Sequence, residues 1–222
     1  MIHHKHRGFT LIELMIVIGI ILLLMSVLVV SFTGVFKSSE EAQTTATIET
    51  LKTNLASFNS AWGRYPASNL NDLGSRNNFL SLQDPNATNQ GNEAMVLALR
   101  SGLERGPYLD VPLFNNDELR TNLDNDRCLP DALSPEMLDI DSENSDLFEI
   151  VDRWGNPFVY INTGDLKNSS FRDIIMKGDG STEVNDPQLC LEKLRHPITG
   201  GYPQGFVLWS FGEDGINDYG RG

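Results

Sequence analysis

The chain has 222 residues, enough for one domain with appendages or two small domains, which excludes a large multidomain machine. Its 30 acidic and 17 basic residues leave a formal charge of −13, and no basic patch offsets it, so general binding to phosphate backbones is excluded. The hydrophobic share of 40% is ordinary for a globular protein, but the apolar residues crowd towards the N-terminus.

Residues 1–8 form a short basic leader, Met-Ile-His-His-Lys-His-Arg-Gly. From Phe9 to Phe36 there is a single charge, Glu13, and the 19 residues from Leu14 to Phe32 carry none. A helix of about 20 residues spans the ~30 Å hydrocarbon core, so a transmembrane helix is predicted over 9–36. Lys5 and Arg7 hold the leader on the cytoplasmic side and the remainder lies outside. The run exceeds the 7–15 apolar residues of a secretory signal and lacks a small-x-small cleavage site after it. Glu13 inside it costs at least ~2.5 kcal/mol on insertion, so it is expected either to have a partner or to snorkel to the interface.

Residues 37–66 continue the helix in another style. Ile48, Leu51, Leu55, Phe58 and Trp62 fall at helical spacing on one face, and Gly63 and Pro66 supply the stop. Phe9 to Trp62 is then a helix of ~80 Å whose outer stripe needs a cover. That cover is expected from a globular part over 67–222. It should contain a second helix across Asn92–Leu103 and strands near Phe158–Ile161, Phe171–Ile175 and Phe206–Ser210. The fold class is α+β, a long transmembrane-plus-amphipathic helix packed on a small antiparallel β-sheet.

The string Gly8-Phe9-Thr10-Leu11-Ile12-Glu13, between the basic leader and the apolar run, resembles the N-terminus of type IV pilins and type II secretion pseudopilins. The resemblance implies cleavage after Gly8 by a prepilin peptidase, N-methylation of Phe9, and neutralisation of a neighbouring subunit's Phe9 ammonium by Glu13 when the helices bundle. One departure is Val30, where many relatives carry proline, so the helix keeps its hydrogen-bond ladder there. A second resemblance covers most of the chain. Gly63-Arg64-Tyr65-Pro66, Gly106-Pro107-Tyr108-Leu109, Asp152-Arg153-Trp154-Gly155-Asn156-Pro157 and Ser210-Phe211-Gly212-Glu213-Asp214-Gly215 occur in the order seen in the major-pseudopilin family. There the Trp-Gly-Asn-Pro segment leads into a strand, and the acidic loop after the last strand binds calcium.

For this chain that implies a structural calcium at Asp214 and Asp218. The short tail is read equally as an acidic turn that binds nothing. Another departure is an acidic insertion around 112–151, with ten acids and one base between Asp124 and Asp152. Asp139, Asp141 and Glu143 lack the glycine and the distal glutamate of a calcium loop, so the insertion is expected to be a solvated surface excursion. Cys128 and Cys190 form a disulfide outside the cytoplasm, closing a loop that contributes about 4 kcal/mol, or else stay as two buried thiols.

Three of the four histidines lie in the leader, leaving His196, and no phosphate-binding glycine loop occurs. No catalytic residue or catalytic cofactor is expected, and the chain is read as a non-enzyme. The resemblance implies a structural subunit of a type II secretion pseudopilus in the inner membrane. It is single-pass, with a cytoplasmic N-terminus and a periplasmic or extracellular C-terminal domain, and it polymerises with itself. The partners implied are minor pseudopilins, the prepilin peptidase and the inner-membrane assembly platform, with no nucleic acid. The alternatives are a type IV or competence pilus subunit, and a membrane-anchored binding or hydrolytic domain.

Overall fold

A computed structural model describes residues 10–70, 86–100, 108, 119–126, 146–167, 173–185, 187–196 and 199–219, with backbone alone for 27–35, 167 and 187–188. The chain divides into two compact units, residues 1–42 and 43–222. Helix α1, Leu11–Trp62, contributes to both.

In the first unit the described apolar side chains of α1, from Leu11 to Met25, are all solvent-exposed. Among the described residues no helix is long and apolar enough to cross a membrane.

In the second unit the amphipathic stripe of α1 forms as its spacing requires. Leu51, Leu55 and Phe58 are buried, and Ile48 and Trp62 pack at their edge. Each fully buried Leu or Phe contributes about 1.5–3 kcal/mol, which is what anchors this end of a helix otherwise rich in Thr and Ser. Hydroxyls of Thr47, Thr50, Thr53 and Ser57 donate to the carbonyls four residues back. The helix stops at Gly63, whose φ of 68° is a left-handed conformation that a Cβ would strain.

Helix α2, Gln90–Arg100, is buried from Gln90 to Leu99. It begins two residues before the expected Asn92, and its expected extension to Leu103 lies outside the described residues. The strands follow as β1 (Arg120–Thr121), β2 (Glu149–Ile150), β3 (Val159–Asn162), β4 (Asp173–Met176) and β5 (Thr182–Asn185), then helix α3 (Pro187–Leu194) and β6 (Phe206–Trp209). They pair as three antiparallel two-stranded ribbons, β1–β2, β3–β6 and β4–β5, in place of the single small sheet expected from sequence. Strand β5, with Thr182 and Val184 exposed, and helix α3, in a polar stretch, were not anticipated.

Strand period explains how β3 and β6 divide the core. Phe158, Tyr160, Phe206 and Leu208 face a cluster with Leu51, Leu55, Phe58, Met95 and Leu99. Their alternates Val159, Ile161, Val207 and Trp209 face a second cluster with Leu166, Ile175, Cys190 and Phe211. Covered on both faces, β3 reads as a continuous apolar run.

Polar side chains tie these layers together. Asn92 is buried; its Nδ2 donates to the carbonyls of Ile150 (2.9 Å) and Phe158 (2.7 Å), while its Oδ1 accepts from Ile150 N (2.9 Å). Asn89, at a left-handed φ of 52°, donates through Nδ2 to Glu149 Oε1 and accepts Met176 N on Oδ1. Two acids expected in a solvated insertion are instead fully buried, Glu149 at 0% and Asp152 at 1% exposure. Long-range hydrogen bonds from Asn89 and from Ser210 make that burial tolerable.

Candidate functional site

The head of α1 is a reciprocal cap. Thr10 Oγ1 accepts from Glu13 N at 3.3 Å, and the Glu13 carboxylate accepts from Thr10 N at 2.8 Å and from the Thr10 hydroxyl at 2.7 Å. This is the Thr-x-x-Glu capping box, which satisfies backbone donors that a helix start otherwise leaves unpaired. Its sequence signature is the spacing of Thr10 and Glu13 in Thr10-Leu11-Ile12-Glu13. Glu13 sits in the first turn, where the helix dipole favours an acid. An assembly role for Glu13 therefore has to draw a carboxylate already held by Thr10, and whatever replaces or shares that bond must offer at least a comparable donor. An ammonium does so, since charge-assisted bonds are the stronger kind. Gly8 and Phe9, the processing residues, lie outside the described residues.

The Asp152–Pro157 segment forms the tight connection from β2 into β3. Asp152 Oδ1 accepts from Trp154 N (3.0 Å) and Asn156 N (2.9 Å), and Asp152 Oδ2 accepts from Ser210 Oγ (2.6 Å) at the end of β6. Burial pushes the Asp152 carboxyl up, and these donors oppose the push. The segment thus leads into a strand and also staples β6 to the β2–β3 turn.

The C-terminal loop, 212–219, is organised by residues that the sequence did not single out. Lys177, from the β4–β5 hairpin, donates Nζ to Gly215 O at 2.6 Å, pairs with Glu183 at 3.1 Å and lies 4.7 Å from the Phe211 ring centroid. Asn217 accepts from Trp209 Nε1 and donates to Asn185 Oδ1. Asp214 and Asp218 are both exposed, and Asp214 Oδ1 accepts from Ile216 N. A calcium shell here would draw on backbone carbonyls; the Gly215 carbonyl faces the Lys177 ammonium, and among the described residues Asp214 and Asp218 belong to no group of three acidic, histidine or cysteine side chains.

Cys190 on α3 is fully buried against the second cluster, and Cys128 lies outside the described residues, as do Asp139, Asp141 and Glu143. His196 is exposed; its Nδ1 accepts from Thr199 N at 3.1 Å within a turn.

Comparison with known proteins bears on the head of the chain. Residues 3–29 match the family described as a prokaryotic N-terminal methylation motif. No curated protein and no solved structure matches the chain. The matched segment contains the whole leader-to-helix boundary, with Gly8, Phe9, Thr10 and Glu13. It supports a pilin-like or pseudopilin-type N-terminus, processed by a prepilin peptidase and anchored through its first helix.

Proposed function

We propose that this chain, carrying a methylation motif over residues 3–29, is a structural subunit of a type II secretion pseudopilus. Prepilin peptidase cuts after Gly8, Phe9 becomes the methylated N-terminus, and the first part of α1 anchors the subunit in the inner membrane with residues 43–222 outside the cytoplasm. Polymerisation withdraws these helices into an apolar bundle, which covers the exposed side chains from Leu11 to Met25. In the bundle the Glu13 carboxylate pairs with a neighbour's Phe9 ammonium while Thr10 holds its orientation. Leaving either charge buried without the other costs ~3–5 kcal/mol, enough to set the axial register of the helices. The chain performs no chemistry of its own, and the work of extraction comes from outside it.

The observation that carries the reading is the methylation motif over residues 3–29, which includes a capped acid, Glu13, at the head of a 52-residue helix. The choice of secretion over a surface pilus rests on the Trp154-Gly155-Asn156-Pro157 turn feeding β3. The test is genetic. Deleting the gene should leave exported cargo in the periplasm, and the wild-type chain should restore export. Glu13→Gln, which keeps a capping side chain but no charge, should insert and fold yet fail to restore export. Normal export in the deletion strain with lost surface pili or DNA uptake would instead assign the subunit to a pilus.

A further inference from the structure

The first turn of α2 buries three polar side chains, Gln90, Asn92 and Glu93, and they are not equally satisfied. Asn92 makes three hydrogen bonds, whereas Glu93, at 0% exposure, has no partner on either Oε1 or Oε2. A fully buried carboxylate with no donor is among the costliest groups a fold can carry, so something must neutralise it. Its neighbours are acceptors too. Asp124 and Asp126, on the loop after β1, each bring an oxygen that lies with one of Glu93 in a group no wider than 4.8 Å. Asp124 Oδ1, both Asp126 carboxylate oxygens and Asn122 Oδ1 are likewise buried without a donor.

Two hydrogen bonds hold the loop that carries these acids. Asn86 Nδ2 donates to Asp124 Oδ2 (2.9 Å), and Asn122 Nδ2 donates to the Asp126 carbonyl (2.9 Å). Glu149, behind them, accepts from Asn89 Nδ2 (2.7 Å) and Leu123 N (3.2 Å), which fixes the loop and adds a negative charge next to the cluster. Burial and mutual repulsion push the Glu93 carboxyl well up and that of Asp126 to about 7. Without a cation, the group must hold protons.

We propose that Glu93, Asp124 and Asp126 form a divalent-cation site that takes calcium and clamps the acidic insertion onto α2. The donor set is all oxygen with no nitrogen or sulfur, which suits a hard ion and not zinc. Oxygens opposite each other across calcium, at 2.3–2.6 Å, stand roughly 4.6–5.2 Å apart, whereas across magnesium they stand about 4.1 Å apart. Oxygens within 4.8 Å of one another fit inside a calcium shell, and magnesium, which dehydrates reluctantly and keeps several waters, suits an all-protein cage less well. Asp214 and Asp218 are not members of this group, so the two locations separate by mutation.

The full-length protein in detergent should melt about 5–10 °C higher with calcium at a hundred times its Kd than with chelator. Equilibrium dialysis should find one tightly held calcium per chain, with magnesium competing poorly. Glu93→Gln should abolish the rise. Asp124→Asn, at a half-buried position that the fold tolerates more readily, should weaken binding at least tenfold. Asp214→Ala should change nothing. The proposal is overturned by a melting temperature that responds to pH but not to calcium, which would leave protons alone as the neutralising species. A rise surviving both Glu93→Gln and Asp124→Asn, or one lost in Asp214→Ala, would overturn it as well.

Discussion

Asn92→Ala is the most informative single perturbation of the fold, because one side chain joins α2, β2 and the entry to β3. Its amide is used with both polarities, two carbonyls on Nδ2 and one backbone N–H on Oδ1, which leaves no ambiguity in the orientation of the group. Truncation to alanine removes the donor to Phe158 O and the acceptor of Ile150 N. Ile150 O keeps Phe158 N as a partner at 3.1 Å. Two buried orphans at ~1–3 kcal/mol each predict a loss of ~2–6 kcal/mol, a large share of the 5–15 kcal/mol typical of a domain. Asn92→Asp separates hydrogen bonding from cavity formation. It has the same shape, but at neutral pH it aims a carboxylate oxygen at two carbonyls, and at pH 4 a protonated acid restores one donor. Denaturant midpoints of the detergent-solubilised protein, followed by tryptophan fluorescence, measure both variants. A loss under ~1 kcal/mol for the alanine variant, or an aspartate variant indifferent to pH, would refute the role assigned to Asn92.

Two further predictions follow from packing and charge. A Cβ on Gly91 would press into the Tyr160 carbonyl, a backbone atom of β3, so Gly91→Ala should destabilise by more than ~1 kcal/mol in the same assay, and a neutral result would contradict the close approach of α2 to β3. Burial raises the carboxyls of Glu149 and Asp173 to about 7 from ordinary values of 4.5 and 3.8. The folded state therefore holds protons that the unfolded chain has already released. Their contribution is fully present below about pH 4 and is lost as the pH rises through 7. In chelator, melting temperature should fall between pH 4.5 and 7.5, and Glu149→Gln should flatten part of that fall; a rise over the same interval would refute the assignment.

What the sequence disclosed depended on whether the signal was local. The stripe from Ile48 to Trp62 and the stop at Gly63 are written in spacing and in one residue's φ, and they were legible. Strands β3 and β6 were legible to within a residue or so, because covered strands read as apolar runs. The division into three ribbons was not, since two of the three pairings join partners 28 to 50 residues apart. Helix α3 was missed because it is short, with Cys190 alone fully buried among its described residues and Leu191 and Leu194 packed at the edge of the second cluster. Among the acids, composition marked Glu149 and Asp152 as solvated, and only partners 58 and 60 residues away reveal that they are buried. The same holds for the C-terminal loop, which is tied to the body by Lys177 and Asn217 through partners 38 and 32 residues away.

The central claim is that the first eight residues are removed and the new terminus joins a filament. Intact-mass and N-terminal analysis of protein recovered from membranes and sheared filaments tests it most directly. The account predicts a chain that begins at Phe9 with a single methyl group on its amine, and full-length, unmethylated material when Gly8 is replaced by a bulky residue. Assembled protein that retains Met1 would contradict it.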